Sequence, residues 1–388
     1  MMRKISNKFF CSIVVMLTAL NCVWGGQSYQ LHFNGKRTDV WSGSEKIGFK
    51  KFLLEQLRIH PSMQVEDVLK QCYQGAYGAE HILKDPEKAG KYFYKEFDAV
   101  EADFNEPLFE LISPDFIRVN LRAWKAAGFP AKWLFNMFAS AVKMDDGDEI
   151  FQKYLAVSRE LLDKKNLGKF IRISQKITSA PHHSEIFRRQ EKPSYRVVSI
   201  RYINIFPVLK MAAALPDKNA KVIVIDGRSA SGKTTLSRQL ETVLETDAVH
   251  MDDFFLPPQM RTKERYNEPG GNVHYERFIA EVLPQLNSAG KFQYRKFSCS
   301  AMKLGDVHNI RQSPWRIVEG AYSMHPKFGN YADLKIFYDI HPDEQMRRII
   351  SRNGIERAEM FKKLWIPFEE AYIKNCHPDK RADIIIGR

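Results

Sequence analysis

The sequence predicts an α/β domain, a parallel five-stranded sheet flanked by helices, preceded by a mostly α-helical domain. Three observations predict it. Short β-branched runs alternate with helical stretches after residue 220, the pattern of βαβ units. Between about Lys46 and Leu215, apolar residues recur instead at helical spacing. The polar break Pro216-Asp217-Lys218-Asn219 separates the two patterns. The expected organisation is a lead-in over 1–45, a helical domain over 46–215 and the α/β domain over 216–388.

The composition agrees with folded domains. The chain has 388 residues, 44% hydrophobic and 27% charged, which excludes disorder over most of its length. Five cysteines without a CxxC pair argue against a disulfide framework or a structural zinc site. The net charge of +13 favours anionic partners, but no dense Lys/Arg run marks a nucleic-acid patch.

In the lead-in, Arg3, Lys4 and Lys8 precede the apolar stretch Phe9 to Val23, which reads as a signal-like segment or as a mis-assigned start. Unpaired cysteines and a need for ATP, argued below, point to a cytoplasmic location. Membrane association or export through the apolar segment is the alternative.

In the helical half, Phe49, Phe52, Leu53 and Leu57 form one apolar face, and Val65, Val68, Leu69 and Cys72 another. Asp85-Pro86 reads as a helix start. The clusters Tyr77-Gly78-Ala79-Glu80-His81 and Pro181-His182-His183-Ser184-Glu185 lack metal-ligand spacing and read as buried or helix-start residues.

The α/β half opens with the strand Val222–Asp226, followed at once by Gly227-Arg228-Ser229-Ala230-Ser231-Gly232-Lys233-Thr234-Thr235. This is G-x-x-x-x-G-K-[ST] between a strand and a helix. Such a loop turns successive N–H groups inward around a β-phosphate at a helix N-terminus. Lys233 bridges the outer phosphates and the Thr234 hydroxyl helps hold Mg²⁺. The loop therefore predicts ATP and Mg²⁺ as bound groups.

The next strand runs from Ala248 to Met251, and Asp252 and Phe254 follow its end. Strand carboxyl ends face the ligand crevice of an α/β sheet, so Asp252 is the expected general base. Trp315–Glu319 is the third strand, and Glu319 is the expected acid for the metal. Leu334–Ile340 is the fourth. The helix Asp343–Arg352 after it carries Arg348 and Arg352 on one face, where they can close over phosphates. Ala382–Ile386 is the fifth strand. Asp252, Phe254, Asn272, His274 and Tyr322, at strand ends and on the polar turn 268–276, are the expected acceptor contacts.

IDGRSASGKTT, HMDDFF, EPGGNVHYERF, IVEGAYSMHP and RRIISRNG together make residues 221–388 resemble the uridine kinase family of nucleoside kinases, within the wider group that includes phosphoribulokinase and pantothenate kinase. The resemblance implies ATP·Mg²⁺ as donor and a nucleoside 5′-hydroxyl as acceptor, with Asp252 as base and the arginine helix as lid. His274 stands where that family presents an acid to the sugar hydroxyls. A nucleotide monophosphate, a pantothenate-like alcohol or a sugar phosphate are alternative acceptors, and a nucleotide-switched regulator is the alternative class. The expected partner is a small hydroxyl compound, with no nucleic-acid or membrane partner. The helical half resembles an uncharacterised bacterial helical domain.

Overall fold

The structure is a computed structural model that describes residues 29–33, 36–39, 48–140, 144–177 and 179–387. The apolar stretch of the signal-like segment lies outside the described residues. No helix among the described residues is long and apolar enough to cross a membrane. The chain divides into two compact units, one of Ser44–Ala213 and one containing Ala214–Arg388. Strands β1 (Tyr29–Phe33) and β2 (Lys36–Asp39) form an antiparallel hairpin within the second unit.

The first unit is mainly helical. Its helices start where the chemistry allows. Asp85 accepts from Lys88 N–H with Pro86 in the first turn, and Asn120, Asp163 and Ser184 cap three further helices in the same way. The unit also holds a three-stranded antiparallel sheet that helical periodicity does not announce. Its strands are β3 (Phe109–Leu111), β4 (Phe116–Asn120) and β5 (Tyr195–Ser199), with β4 in the middle. Fully buried Leu53, Leu69, Phe93, Trp124, Phe138 and Phe170 form its core.

The second unit contains β6 (Lys221–Gly227), β7 (Ala248–His250), a hairpin of β8 (Phe292–Ser298) and β9 (Lys303–Ile310), β10 (Trp315–Glu319), β11 (Leu334–Tyr338) and β12 (Ile384–Ile386). The five parallel strands expected from the sequence are present, in the order β12-β11-β6-β10-β7. The sheet is larger than expected, because β1 adds antiparallel to the outer edge of β12 and β2 pairs with β1, making seven strands in all. Tyr29 pairs with Ile386 and Leu31 with Ile384, so the hairpin covers what would otherwise be an open edge.

Burial explains the sheet. Strand β6 sits between β10 and β11, and its residues Val222, Ile223, Val224 and Ile225 have no exposed surface. Each such side chain contributes about 1.5–3 kcal/mol on burial. The chain runs from β6 to β7 on one side and later from β10 to β11 across β6 to the other. The crevice at the carboxyl ends of β6 and β10 is thus the topological switch point, where α/β sheets bind ligands. This is a doubly wound α/β arrangement with its glycine-rich loop at the switch point.

Candidate active site

At the end of β6 the backbone must leave the sheet sharply. Gly227 has φ 139°, and a Cβ there would lie 2.1 Å from the Tyr338 carbonyl oxygen of β11. Only glycine fits. Gly232 has φ 118° and directly precedes the helix Lys233–Leu244. Between them Ala230 also adopts a left-handed conformation, with φ 57°. The loop therefore curls over the N-terminus of that helix, the geometry that suits an anion.

Asp226 lies under the loop and is almost fully buried. One of its oxygens accepts from Gly227 N–H (2.7 Å) and Tyr322 N–H (3.1 Å). The other accepts from Met324 N–H (2.8 Å) and the Tyr372 hydroxyl (2.7 Å). These bonds tie the start of the phosphate loop to the turn after β10. Tyr322 in that turn holds φ 73°, a costly conformation for a bulky residue, which persists where surrounding contacts over-determine it. Burial pushes the Asp226 carboxyl above its ordinary value, despite the Tyr372, Met324 and Gly227 donors.

A cavity of about 670 Å³ opens over this loop, within the range of small-ligand sites. Ser229, Ala230, Gly232, Lys233, Thr234 and Thr235 line it, together with Asp252, Glu319, Tyr322, Arg348 and Arg352. The structure thus gathers the expected loop, base, metal acid and lid arginines around one space. Lys233 is nearly buried, and its ammonium donates to the Gly227 (2.9 Å) and Arg228 (2.7 Å) carbonyls. Ser231 has a buried hydroxyl without a hydrogen-bond partner. Arg348 reaches the loop from the helix Pro342–Asn353, donating to the Ser231 carbonyl at 3.1 Å. Arg352 lines the cavity and donates to the side chain of its neighbour Asn353.

Asp252 is open to the cavity but walled by protein. Burial, and then the charge of Glu319, hold its carboxyl above the ordinary aspartate value. Glu319 at the end of β10 accepts from the Thr234 hydroxyl at 3.1 Å and bonds His250 Nδ1 at 3.0 Å. Burial pushes the Glu319 carboxyl up, but the His250 bond, Lys233, the His250 charge and the Thr234 bond together hold it low. The Glu319 bond in turn raises His250.

The residues present fit a nucleotide-borne Mg²⁺. No group of three or more His, Cys, Asp or Glu among the described residues is arranged to hold a metal. Thr234 and Glu319 offer two adjacent oxygens, and Mg²⁺ takes its remaining ligands from phosphates and water.

Two expected acceptor contacts stand elsewhere. Phe254 is fully buried, packed on Phe278 and Tyr294 beneath the Arg277 guanidinium, so it does not reach the cavity. Its neighbour Phe255 does. His274 precedes the helix Tyr275–Glu281 and is not on the cavity wall, whereas Asn272 and Val273 are. Asn272 is buried, with its side-chain amide against the Tyr322 hydroxyl. Gly227, Arg228 and Ser231 belong to the loop, but its other residues make the lining.

Several site residues escape sequence reasoning. Phe361 and Trp365 line the cavity from a π-helical segment, Phe361–Trp365, and the Trp365 ring lies 5.7 Å from Phe255. Glu369, on the following helix, is buried and accepts from Ser229 N–H (2.9 Å) and the Ser229 hydroxyl (3.0 Å). Gln345 donates to the same hydroxyl at 3.1 Å, and Glu370 pairs with Arg228 at 2.7 Å. The loop is therefore clamped from both lid-side helices.

No protein-family model and no curated protein matches the chain. Solved structures do match about half of it. One is a possible uridine kinase from Bacillus stearothermophilus, 22% identical, covering 47% of this chain and 97% of that one, with a TM-score of 0.35. Another is described as a possible fructose transport system kinase from a Silicibacter species, 16% identical, covering 45% and 94%, with a TM-score of 0.37.

Proposed function

We propose that the chain is an ATP-dependent kinase that transfers the γ-phosphoryl group to a hydroxyl of a small molecule, a nucleoside 5′-hydroxyl being the preferred acceptor. The observation that carries this is the single cavity shared by the phosphate loop with Lys233, the strand-end carboxylate Asp252 and the arginine lid. A nucleotide-binding switch needs the loop and one strand-end carboxylate for the metal, the place of Glu319; Asp252 is a second strand-end carboxylate open to the same space.

Lys233 would leave the Gly227 and Arg228 carbonyls and bridge the outer phosphates, with the loop N–H groups holding the β-phosphate. Thr234 and Glu319 would hold Mg²⁺, which supplies charge neutralisation of the phosphates. Arg348 and Arg352 would neutralise charge as the bond to ADP breaks. Asp252 accepts the acceptor hydroxyl's proton while its oxygen bonds to the γ-phosphorus. A carboxylate held above its ordinary value is a stronger base near neutral pH.

The acceptor side supports a planar compound. Phe255, Phe361, Trp365 and Tyr322 give an aromatic wall, and the Asn272 amide beside Tyr322 adds a polar group on that wall. Asp252→Asn tests the proposal. It keeps size but removes the base, so kcat falls by roughly 10²–10⁴-fold, with ATP affinity little changed. Normal kcat in this variant would remove Asp252 from the chemistry.

A further inference from the structure

The helical unit carries two adjoining cavities of its own, of about 520 and 740 Å³, and Ile177 and Ser179 line both. The smaller is walled by aromatic rings. Tyr73 and Tyr77 lie 4.6 Å apart, and Phe151 stands 6.0 and 5.6 Å from them. The larger is basic, with Lys169, Arg172, Lys176 and His182 over an apolar floor of Leu69, Ile173 and Pro181.

The charges are unequally matched. Glu66, on the wall of the larger cavity, is already paired with Lys169 at 2.8 Å. Asp148, on the wall of the smaller, accepts from the Tyr77 hydroxyl at 2.5 Å. Arg159, at the aromatic end, and Arg172 and Lys176, at the basic end, have no ion-pair partner among the described residues. From Arg159 to Arg201 the sequence holds eleven Lys/Arg against four Asp/Glu.

We propose that these adjoining cavities together form a second ligand site for a small organic phosphate: a planar ring against Tyr73, Tyr77 and Phe151, and a phosphate at Arg172, Lys176 and His182. Ring stacking on tyrosine and charge-assisted bonds to a phosphate are the interactions these walls offer. Behind the wall, Lys70 and His81 are buried cationic-type groups, and Asp67 acts on Lys70 as a counter-charge. Lys70 donates to the Pro181 carbonyl at 3.3 Å. Burial, and then the charge of Arg118, lower it to about 8. Burial, and then the charges of Lys70 and His182, lower His81 to about 4. The site is independent of the phosphate loop and of the activity proposed for it.

Calorimetric titration of the full chain with adenosine 5′-monophosphate tests this, beside adenosine, inorganic phosphate and a single-stranded RNA of about twenty nucleotides, a length that spans at least one ordinary single-strand site. The monophosphate should bind the parent and Lys233→Ala alike. The double variant Arg172→Glu/Lys176→Glu should bind it about ten- to a hundredfold more weakly. Both residues are exposed, so the fold survives the change. Tyr73→Ala should also weaken binding, and adenosine or phosphate alone should bind less tightly than the monophosphate. The proposal is overturned if the double variant binds as the parent does, or if Lys233→Ala abolishes binding. It is equally overturned if the monophosphate does not bind. RNA that outcompetes the monophosphate with a steep salt dependence would make this a nucleic-acid face instead.

Discussion

Asp226→Asn isolates what holds the phosphate loop over the switch point. Asp226 satisfies four donors with two oxygens: Gly227 and Tyr322 N–H on one, Met324 N–H and the Tyr372 hydroxyl on the other. An asparagine keeps one oxygen and turns an NH₂ toward the other pair. The Tyr372 hydroxyl can rotate and accept. A backbone N–H cannot, so either way at least one buried N–H is orphaned and faces another donor. Leaving one buried donor unsatisfied costs about 1–3 kcal/mol. For a unit of this size the melting temperature falls by about 2–4 °C per kcal/mol. Burial holds the Asp226 carboxyl above its ordinary value, so its own contribution to stability declines as pH rises past the ordinary aspartate range. The deficit of the variant should therefore narrow toward alkaline pH. Calorimetry at two pH values reads the stability. Hydrogen exchange of the peptides holding Gly227 and Tyr322–Met324 reads the place, since those amides should lose protection. An unchanged melting temperature with unchanged exchange at these amides would refute this role for Asp226.

Three further outcomes rest on the same geometry. His250 is raised by its bond to Glu319, so its stabilisation is complete below the ordinary histidine value and is lost as pH rises through the raised one. His250→Gln should flatten the alkaline side of a plot of melting temperature against pH, and parallel curves for parent and variant would contradict this. Burial holds the Glu369 carboxyl up, against Lys233 and its Ser229 bonds, so it costs the fold stability as pH climbs above the ordinary glutamate value. Glu369→Gln should melt higher than the parent near pH 8 and converge with it near pH 4; a variant that melts lower at pH 8 sinks the assignment. Tyr372→Phe removes one of the donors to Asp226 and should cost about 1 kcal/mol by calorimetry, whereas a neutral result would mean that this bond adds nothing.

How much of this is legible in the sequence depends on range. The parallel strands announce themselves, because VIVID, WRIVE and LKIFYDI are short runs rich in β-branched and aromatic residues, nearly all of them buried. The loop is legible because its glycines and lysine are adjacent in sequence. The hairpin of β1 and β2 hides beside the apolar lead-in, although Tyr29, Leu31 and Phe33 alternate with Gln30 and His32 at strand period. The short strands β3 to β5 fall among helices whose periodicity masks them. Pairings such as Glu369 with Ser229, or Glu319 with His250, join residues far apart in the chain, and no local pattern encodes them. Its place after the strand favours Phe254 over Phe255 as an acceptor contact. The short turn Met251–Phe254 decides otherwise, turning Phe254 into the core.

Phosphoryl transfer itself is the most direct test. The purified full chain is incubated with ATP carrying a labelled γ-phosphoryl group, Mg²⁺, and a panel of nucleosides, nucleotide monophosphates, pantothenate-like alcohols and sugar phosphates. Label should pass to a hydroxyl of at least one compound, nucleosides first, in step with ADP formed, and Lys233→Ala should abolish the transfer. ATP that binds without transfer to any member, or transfer that survives Lys233→Ala at the parent's rate, would contradict a kinase built on this loop.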